Sequence, residues 1–385
     1  MIRVAWQIAN SSEWIGGLNY FINLARAVGS LPDARIEVVA LGSTKGLPAP
    51  LNSLQGIHMP PLTRVTRLWD AFGRHYLQNG GMTGRFLRQN RIGLLSHGSV
   101  LGRRSPVPAL CWIPDFQHVH RPEFFSAEEI AMRDRYFADG AADAQGILLS
   151  SADAAADFAR LFPRHAHKAR ILRFVADSHP ATAEEQQAVL GKYDIHEPFF
   201  HVPNQLWIHK NHGVVLEALK TLKSRGKVPL VISTGRTNDY RHPEYFPAFK
   251  KEVEEAGLAE RFRFLGLAPY EDVRALMTAA VAFVNPSFFE GWSTTVEEAK
   301  SLGKKILLSG IGVHKEQAPE RGVFFDPEDG AALADAMAEC LAAYDPQAEM
   351  RAREAAQAAL PGRMRAFGRE YEKIVLDMAS GKEKP

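Results

Sequence analysis

The sequence predicts an α/β protein with two domains, each built around a parallel sheet. The chain has 385 residues, more than one ordinary hydrophobic core accommodates, which suggests two domains. Short apolar runs rich in β-branched residues alternate with amphipathic helical patterns, and this alternation is typical of parallel sheets covered by helices. A polar, proline-flanked stretch, ADSHPATAEEQQAVLGKYDIHEP, interrupts the pattern and is interpreted as a linker containing one helix.

Strand candidates lie on both sides of this linker. The first series is IRVAWQIA, RIEVVALG, RIGLLSHG, VPALCWIP, GILLSS and KARILRFV. The second is PFFHVPN, PLVISTG, RFRFLG, AAVAFVNPS, KKILLSG and, as a final edge, GVFFD. We expect a first domain at residues 1–180 and a second at 181–361, facing each other across a cleft with ligand sites at the carboxyl ends of their strands.

The chain ends in a predicted amphipathic helix, residues 362–385. An apolar stripe follows helical spacing along it and must be buried somewhere. The stripe consists of Phe367, Tyr371, Ile374, Val375 and Met378.

The composition is that of a soluble globular protein, with 46% hydrophobic and 23% charged residues. The N-terminal stretch lacks the features of a signal peptide, and no run approaches the roughly 20 apolar residues of a membrane-spanning helix. Cys111 and Cys340 lie far apart in apolar contexts, which argues against a disulfide framework or a thiolate metal site. We therefore expect a cytoplasmic protein.

Positive charge is concentrated between residues 61 and 105. Asp70 is the single acidic residue there, against eight arginines. The arginines are Arg64, Arg67, Arg74, Arg85, Arg88, Arg91, Arg103 and Arg104. Apolar residues lie beside them: Leu68, Trp69, Phe72, Tyr76, Phe86 and Leu87. The segment could rest on anionic lipid headgroups or bind a phosphorylated acceptor. The alternative is a solvated face whose aliphatic stems pack on the body of the protein.

Several familiar cofactor signatures are missing. No G-x-G-x-x-G follows the first strand, GSTKG is not a Walker loop, and no Asp-x-Asp or His/Cys cluster has metal-binding spacing. We therefore expect no cofactor, no required metal and no nucleic-acid partner. If the protein binds a diphosphate, cationic side chains and helix N-terminal amides would hold it.

Such a site is predicted in FFEGWSTTVEEAKSLGKKILLS, residues 288–309. Thr294 with Glu297, or Thr295 with Glu298, satisfies a capping box, which predicts that a helix begins here. The helix should end near Gly303, where glycine suits the left-handed C′ position.

Glu290 would then lie in the loop at the carboxyl end of AAVAFVNPS, with Glu298 in the first turns of the helix. Backbone amides between the two carboxylates could bind an anion, and Gly291 permits close approach to a ligand. The arrangement suits an alcohol-rich phosphate ester; the alternative for each glutamate is capping or a solvated face. Lys210 follows PFFHVPN and Arg236 follows PLVISTG, so both fall at strand ends, where each could neutralise phosphate or simply be exposed.

These segments resemble a known family. NPSFFEGWSTTVEEAKSLGKKIL resembles the P-S-x-x-E-G-F-G-x-x-x-x-E-A motif of retaining glycosyltransferases of family 4 (group 1), which have the two-domain GT-B fold. NQLWIHKNHGVVLEALK is similar to the family's R-x-x-x-x-K-[GN] segment, RFRFLGLAPYEDVRALMTAA to its F-x-G segment, and GVHKEQAPERGVFFDPED to its donor-side loop. WIPDFQHVHRPEFFS and GILLSSADAAADFARLF resemble segments of bacterial polysaccharide-type members. The resemblance implies that the C-terminal helix returns to the first domain.

The resemblance also implies roles for individual residues. Glu290 would bind hydroxyls of the transferred sugar, Glu298 the ribose, and Lys210 the diphosphate leaving group. Further donor contacts are implied for the amides of Gly291, Trp292, Ser293 and Thr294, for Gly266 and Leu267 beside the base, and for Gly16 and Gly17 from the first domain.

The chain departs from the family at two places. Gln205 stands five residues before Lys210, where the family usually has arginine, so Arg236 or an arginine of the first domain would have to replace that cation. Where many members have His-Asp, this chain has Pro-Asp at residues 114–115, and we assign the donor-contacting histidine to His118 rather than His120.

The resemblance implies a retaining, metal-independent transfer from a nucleotide sugar, with GDP-mannose or a related GDP-sugar favoured. The expected acceptor is a saccharide, lipid-linked given the basic segment, in cell-surface polysaccharide or O-antigen synthesis at the inner face of the membrane. Two alternatives remain: a sugar-nucleotide epimerase of GT-B-like fold and a non-catalytic protein that binds nucleotide sugars. Interconversion of the donor sugar without any acceptor would favour the first alternative, and binding without turnover would favour the second.

Overall fold

The computed structural model describes residues 1–8, 15–61 and 63–381, which form two compact units. The first unit comprises residues 1–116, 127–175 and 362–385, and the second comprises residues 117–126 and 176–361. The segment 117–126 was expected in the first domain, but it belongs to the second unit, where its aromatic and basic side chains pack.

Thirteen strands are present in the described residues. In chain order they are β1 (Ile2–Trp6), β2 (Ile36–Leu41), β3 (Gln55–Ile57), β4 (Ile92–Ser96), β5 (Ala109–Ile113), β6 (Gly146–Leu149), β7 (Ala169–Ile171), β8 (Phe199–Val202), β9 (Leu230–Ser233), β10 (Phe262–Phe264), β11 (Ala282–Asn285), β12 (Ile306–Ser309) and β13 (Gly322–Phe325).

Helices connect the strands. In chain order they are α1 (Ile15–Gly29), α2 (Arg64–His75), α3 (Gly81–Gln89), α4 (Gln117–His120), α5 (Ala127–Asp143), α6 (Ala152–Leu161), α7 (Ala183–Lys192), α8 (His212–Ser224), α9 (Tyr245–Glu255), α10 (Tyr270–Ala279), α11 (Thr294–Leu302), α12 (Gly312–Gln317), α13 (Gly330–Ala342) and α14 (Pro346–Ala379). None of the helices among the described residues is long and apolar enough to cross a membrane.

Each unit contains one sheet whose strand pairs are all parallel. The first sheet has the order β3-β2-β1-β4-β5-β6-β7 and the second has the order β10-β9-β8-β11-β12-β13. Strands β8, β9, β11 and β12 are buried along their whole length, because helices cover both faces of such sheets. The predicted α/β class and the strand candidates are therefore confirmed.

The only strand that the sequence analysis missed among the described residues is β3. It has three residues, Gln-Gly-Ile, and pairs with β2 at the edge of the first sheet. A run this short, with a central glycine, has neither the apolar length nor the alternation by which strands are recognised.

The stretch interpreted as a linker is packed into the second unit. Its helix α7 begins at a capping box in which Thr182 accepts from the Glu185 amide and the Glu185 carboxylate accepts from the Thr182 amide. Val189 and Ile195 are buried against Phe199 at the start of β8. The stretch is polar because one face of α7 is exposed, not because it is an unpacked linker.

The C-terminal part of α14 belongs to the first unit, in agreement with the returning helix of the predicted fold. Phe367, Tyr371, Ile374 and Val375 of the predicted stripe are buried there. The Tyr371 hydroxyl accepts a hydrogen bond from the indole N–H of Trp6 at 2.6 Å, so the last helix contacts the first strand directly.

Both sheets reverse their strand order at one point. In the first sheet this switch lies between β1 and β4, and in the second it lies between β8 and β11. Loops that leave adjacent strands at a switch point run in opposite directions and leave a crevice at the carboxyl ends, which is where ligands bind in such sheets.

Candidate functional site

Lys210 and Glu290 meet at the switch point of the second sheet. Lys210 lies after β8 and Glu290 after β11. The Lys210 ammonium Nζ is 2.7 Å from Glu290 Oε1, and the two side chains are only 19% and 12% exposed. A pair this sheltered is screened by water far less than a surface salt bridge.

Two contacts between the loops fix this pair. Lys210 ends a 3₁₀ turn, and Asn211 follows it in a left-handed conformation with φ of 55°. The Asn211 side-chain amide donates to the carbonyl oxygens of Pro286 at 3.0 Å and Pro327 at 2.7 Å. Asparagine suits this position because its short side chain tolerates φ above zero and bonds to nearby backbone.

The Glu290 carboxylate is held ionised. Burial by itself raises its pKa, but the positive charge of Lys210, the influence of His314 and hydrogen bonds from Lys210 and Ser287 outweigh burial and hold the pKa below its ordinary value. Ser287 Oγ lies 2.7 Å from Glu290 Oε1. An ionised carboxylate accepts hydrogen bonds from hydroxyl groups and does not act as a general acid at neutral pH.

A buried network of uncharged polar side chains supports the pair. Asn285, the last residue of β11, donates to Ser293 Oγ at 2.7 Å and accepts from Asn204 Nδ2 at 2.9 Å. Thr295 Oγ1 donates to Asn204 Oδ1 at 3.0 Å, and Ser287 Oγ lies 2.8 Å from Asn285 Oδ1. Since buried polar groups are costly unless paired, the network fixes the loop that carries Glu290.

Helix α11 starts differently from the predicted capping boxes. Its N-cap is Ser293, whose Oγ accepts from the Val296 amide. The residue three positions after this cap is therefore a valine, which has no side-chain acceptor to complete the box. The predicted end is confirmed, since Gly303 is the C-cap with φ of 61°.

Gln317 of α12 clamps the start of α11. Its Oε1 accepts from the Ser293 amide at 3.1 Å, and its Nε2 donates to the Ser293 carbonyl at 2.9 Å and to Glu297 Oε1 at 3.1 Å. The Ser293 amide, predicted to hold donor phosphate or sugar, is thus already used. The amides of Gly291, Trp292 and Thr294 remain predicted donor contacts in the same loop and first turn.

Glu298 lies on α11, half-buried, one turn beyond the helix start. Burial raises its pKa to about 8. Its neighbour Glu297 is 1% exposed and accepts from Lys300 Nζ at 3.1 Å. The two adjacent glutamates therefore have different roles. Glu297 is a structural group paired with a lysine, whereas Glu298 needs hydrogen bonds from a ligand if its carboxylate is to ionise near neutral pH.

His314 of α12 is a site residue that sequence reasoning did not single out. It is fully buried, and its Nδ1 lies 2.9 Å from the Ser309 carbonyl oxygen. Burial lowers its pKa, although Glu290 opposes that change. A lone histidine in GVHKEQ gives no local signal, and only the packing of β11 beside β12 brings it near Glu290.

Gln205 and Arg236 lie on adjoining segments. The Leu206 amide donates to the Arg236 carbonyl at 2.8 Å. Gly235 has φ of 145°, and a Cβ there would meet the Asn204 carbonyl oxygen at 2.5 Å, so only glycine permits this approach. The Gly235 amide donates to the carbonyl oxygen of Gly266 at 2.8 Å.

The residues predicted beside the base lie just beyond β10. Gly266 has φ of 67°, and the side chain of Leu267 is 61% exposed. The structure therefore brings the predicted residues of the second domain to strand ends on one edge of one sheet. Gly16 and Gly17 lie in the first unit, in the first turn of α1.

His118 lies in the interior of the second unit. Its side chain is 2% exposed, and its ring packs edge-on against Phe125 at 6.3 Å. His120 is exposed, and its ring lies 5.3 Å from that of Phe289, the residue before Glu290. His120, which was not the predicted donor contact, thus lies against the loop that carries Glu290.

The rest of segment 117–126 also contacts loops that follow strand ends. The Arg121 guanidinium lies over the Phe288 ring at 4.9 Å, and the Arg241 guanidinium lies over Phe125 at 4.7 Å. These contacts are cation–π in geometry. Among the described residues, no group of three or more histidine, cysteine or acidic side chains could hold a metal ion.

The sequence is similar to known proteins over part of its length. Residues 184–358 match the model of the family described as glycosyl transferases group 1. The chain is 27% identical over 218 residues to O-antigen chain mannosyltransferase B of Escherichia coli, which is 55% of each chain. It is 25% identical over 133 residues to O-antigen chain mannosyltransferase RfbU of Salmonella typhimurium, which is 34% of this chain and 35% of that protein. The alignments thus span about half or less of these relatives.

Solved structures share the fold over nearly the whole chain. Anabaena Alr3699/HepE in complex with UDP and glucose superimposes with a TM-score of 0.72 at 16% identity, covering 98% of this chain and all of that one. A glycosyltransferase from Rickettsia africae gives a TM-score of 0.68 at 15% identity, covering 97% and 98% of the two chains. These matches confirm the predicted GT-B fold.

Proposed function

We propose that this chain, of which residues 184–358 match the model of glycosyl transferases group 1, transfers a sugar from a nucleotide diphosphate donor to a saccharide acceptor with retention of configuration. The observation that carries this proposal is the Lys210–Glu290 pair, with 2.7 Å between ammonium and carboxylate at the switch point of the second sheet. One group suits the leaving diphosphate and the other suits the hydroxyls of a sugar.

In the transition state of the proposed reaction, breaking of the bond between the anomeric carbon and the diphosphate oxygen is ahead of formation of the new bond. Negative charge develops on the diphosphate, where Lys210 and the amides at the start of α11 stabilise it, and positive character develops on the sugar beside the ionised Glu290. Groups already in place in a sheltered site supply several kcal/mol of such stabilisation.

Retention follows if the acceptor hydroxyl attacks from the face that the diphosphate leaves. The new bond forms between the acceptor oxygen and the anomeric carbon, and a diphosphate oxygen takes the hydroxyl proton. Because the diphosphate takes the proton, the scheme needs no protein general base. Glu290, held ionised by Lys210, orients the sugar. Protein cations rather than a required metal stabilise the leaving group.

Arg236 is the second cation in this proposal. Its backbone pairs with Leu206, the residue after Gln205, so an arginine borne by the β9 loop lies next to the position where the family usually has one. A guanidinium binds diphosphate oxygens through two parallel hydrogen bonds. This placement supports the proposal that Arg236 replaces the arginine that the family usually has at the position of Gln205.

For the donor we propose GDP-mannose or a related GDP-sugar. The supporting observation is the similarity to two O-antigen mannosyltransferases, whereas the UDP complex belongs to a structural neighbour at 16% identity. A thermal-shift screen against GDP-, UDP-, ADP- and dTDP-sugars tests this choice. Stronger stabilisation by a GDP-sugar than by UDP-, ADP- or dTDP-sugars is the expected result, and a preference for UDP-sugars would overturn the proposal.

Two substitutions test the reaction. Lys210→Ala and Glu290→Gln should each lower kcat by about 10²–10³-fold, the usual cost of losing one group that stabilises a transition state. Lys220→Ala and Glu252→Gln are matched controls, because these residues form an exposed pair elsewhere in the second unit. The measurement is sugar transfer from GDP-mannose to a mannose-terminated acceptor, with and without EDTA.

Unchanged transfer by Lys210→Ala and Glu290→Gln would contradict the proposed mechanism. Interconversion of the donor sugar without an acceptor would instead favour an epimerase. Binding of the donor without any turnover would indicate a non-catalytic binding protein.

We also propose that the acceptor is lipid-linked and that α2 brings the enzyme to an anionic membrane surface. Leu68, Trp69 and Tyr76 are 73%, 65% and 79% exposed, and the Phe72 ring lies 6.0 Å from Trp69 and 5.3 Å from Tyr76. Exposed arginines of the same segment accompany this ridge: Arg64, Arg67, Arg85, Arg88, Arg91, Arg103 and Arg104. Aromatic side chains flanked by cations suit the interface of an anionic bilayer.

Two apolar residues that were expected on this surface are not available to a membrane. Leu87 is fully buried and Phe86 packs against the core of the first unit. The apolar contribution therefore comes from α2 and the residues just after it.

Vesicle sedimentation tests the membrane proposal. Leu68→Ser with Trp69→Ser, and separately Arg85→Ser with Arg88→Ser, should each weaken binding to vesicles that contain phosphatidylglycerol. Neither pair should alter transfer to a soluble acceptor. Binding that is equally strong to purely zwitterionic vesicles, or unaffected by both pairs, would contradict the proposal.

A further inference from the structure

Residues 117–126 leave the first unit of the protein and pack in the second. The chain before them, up to Phe116, and the chain after them, from Ala127, belong to the first unit. Ordering a backbone segment costs conformational entropy, so the contacts that this segment makes in the second unit must offset that cost. Those contacts form two groups, one at each end of the segment.

The C-terminal end of the segment is anchored by an arginine between two aromatic rings. The Arg241 guanidinium lies 4.7 Å from the centroid of the Phe125 ring and 5.3 Å from that of Trp207. The Arg241 side chain is only 6% exposed, and Asp239 balances its charge with 3.6 Å between Nε and Oδ1. A desolvated cation attracts the face of an aromatic ring more strongly than an exposed cation does. The anchor therefore holds the segment in place.

The N-terminal end of the segment contacts the two residues that precede Glu290. The Arg121 guanidinium lies 4.9 Å from the centroid of the Phe288 ring. Beside it, the His120 ring lies 5.3 Å from the Phe289 ring, with 30° between the two planes. Both phenylalanines are half-buried. The segment thus contacts rings whose backbone leads directly into the glutamate of the candidate site.

The loop that carries Glu290 is hydrogen-bonded on both sides of this residue. The Phe288 amide donates to the carbonyl oxygen of His209 at 2.9 Å, and the Ser293 amide donates to Gln317 Oε1 at 3.1 Å. The residue that follows Glu290 is a glycine, which restrains the backbone less than any other residue. The position of the carboxylate therefore depends on how the side chains before it are held.

The donor would make this support more important. A diphosphate competes with Glu290 for the Lys210 ammonium, because both ligands are anions that form charge-assisted hydrogen bonds. Ser287, whose Oγ lies 2.7 Å from Glu290 Oε1, and the backbone of the loop then hold the carboxylate. A displacement of about 1 Å at a reacting centre can lower a rate about 10²-fold, so the loop needs firm support.

We propose that Arg121 is a positioning residue, which holds the Phe288 ring and thereby sets where the Glu290 carboxylate meets the sugar of the donor. The role of Glu290 rests on the proposed function, whereas the coupling between segment 117–126 and the Glu290 loop does not. Arg121 acts through Phe288 and not on the reacting atoms.

Hydrogen exchange of the full chain without any donor tests the coupling. Arg121→Gln removes the cation and should accelerate exchange in a peptide spanning residues 286–293 about two- to fivefold, the equivalent of one cation–π contact. Arg121→Lys keeps a positive charge and should restore most of the protection. Arg261→Gln is the matched control, because it removes an arginine that pairs with Glu197 elsewhere in the same unit. Exchange in β9 serves as the internal reference and should not change.

A double-mutant cycle tests whether Arg121 acts through Phe288. Phe288→Leu keeps an apolar side chain without an aromatic face and should accelerate exchange as Arg121→Gln does. Because both changes remove the same contact, the double variant should exchange no faster than either single variant. Phe125→Leu weakens the anchor on Arg241 and should accelerate exchange in the same peptide.

Transfer assays add a functional measurement. Arg121→Gln should lower kcat about tenfold through a misplaced carboxylate and leave the KM for the acceptor unchanged. In a protein that already carries Glu290→Ala, the same change should have no further effect on kcat. This dependence on Glu290 separates a positioning role from a general loss of stability.

Three outcomes would overturn the inference. They are exchange in residues 286–293 that Arg121→Gln leaves unchanged or accelerates no more than exchange in β9, additive effects of Arg121→Gln and Phe288→Leu, and an equal loss of transfer with and without the Glu290 side chain. Coupled exchange in a protein that transfers no sugar would instead contradict the proposed function and leave the coupling standing.

Discussion

At the scale of single residues, the two glutamates of the candidate site have opposite protonation behaviour. The Lys210 charge holds Glu290 ionised, whereas burial without a comparable cation raises the pKa of Glu298 to about 8. The same side-chain type, eight positions apart, thus serves as a permanent anion in one place and as a titrating group in the other.

Glu298 gives a pH dependence of stability with a definite sign. Because its folded pKa exceeds the ordinary value of 4.5, the folded state binds more protons than the unfolded state between these two values. Its contribution to the free energy of unfolding is therefore greatest below pH 4.5 and falls by at most about 1.4 kcal/mol per pH unit until pH 8. Glu298→Gln should remove this decline.

Urea unfolding at pH 5, 6.5 and 8 measures this effect, and Glu316→Gln, the same change at a half-buried glutamate of α12 in the second unit, is the control. A free-energy difference between Glu298→Gln and the unsubstituted protein that stays constant with pH would contradict the assignment.

Ligand binding should reverse the protonation of Glu298. If ribose hydroxyls donate to this carboxylate, the ionised form is favoured and binding of GDP near pH 7 releases a proton. Calorimetry in buffers of different ionisation enthalpy detects that release, which Glu298→Gln should abolish. No proton release by the unsubstituted protein would argue against a ribose contact at Glu298.

The proposal that Arg236 replaces an arginine at position 205 is also testable. Arg236→Gln should lower kcat by about 10²-fold if its guanidinium stabilises the leaving group, and adding Gln205→Arg should restore part of that loss. The control is Arg225→Gln, which alters an exposed arginine paired with Asp335. Failure of the added arginine to improve Arg236→Gln would mean that the two positions do not serve the same phosphate.

At the scale of elements, the loop between β11 and α11 is fixed from several directions. Asn285 holds the N-cap Ser293 from the strand side, and Gln317 holds it from α12. Each contact pairs a buried polar atom, so loss of one leaves another unsatisfied, which costs about 1–3 kcal/mol.

The end of α11 depends on Gly303 for two separate reasons. Its φ is 61°, and an added Cβ would collide with the backbone of Ala352 and Arg353. Gly303→Ala should lower the free energy of unfolding by more than about 2 kcal/mol, since left-handed backbone alone costs roughly 1–2 kcal/mol.

Gly226→Ala is the matched control in chemical denaturation. Gly226 has φ of 77°, but open space surrounds its Cβ position, so only the backbone cost applies. Equal destabilisation by the two substitutions would show that the contact with α14 is unimportant.

The element boundaries show where sequence reasoning succeeded and failed. The left-handed end of α11 was predicted because glycine is a local signal. Its start was not, since TTVEE offers two capping boxes and the actual cap, Ser293, gains its advantage from Asn285 and Gln317. A local pattern cannot rank alternatives that distant partners decide.

At the scale of the whole molecule, α14 contributes to both units. Its residues up to 361 belong to the second unit, and those from 362 belong to the first. In the first unit, Phe367, Tyr371 and Val375 are almost completely buried, and Tyr371 pairs with Trp6 of β1. The last residues of the chain therefore complete the core around its first strand.

Truncation after Pro361 should selectively destabilise the first unit. Loss of buried aromatic and aliphatic side chains costs roughly 2–5 kcal/mol for each large residue. Hydrogen exchange should accelerate in β1, β2 and β4 and change little in β8, β9 and β11. Uniform acceleration in both sheets would show that the units unfold together.

By itself the sequence determined the architecture and the central pair of the site. Apolar runs separated by helical patterns indicate parallel strands, and the carboxyl ends of parallel strands meet at one edge, so Lys210 and Glu290 had to lie on that edge. Their distance of 2.7 Å was not predictable, because it depends on β8 and β11 being neighbours although they are distant along the chain.

Tertiary structure alone decided the supporting contacts. Gln317 and His314 were not singled out from the sequence, because their partners in the site are distant along the chain, and the sequence did not indicate that segment 117–126 belongs to the second unit. A cavity of the first unit likewise combines residues that follow β1 and β4 with residues of α1, β5 and α5. Periodicity and capping report short-range interactions, whereas a binding site is made by long-range packing, which only the folded chain specifies.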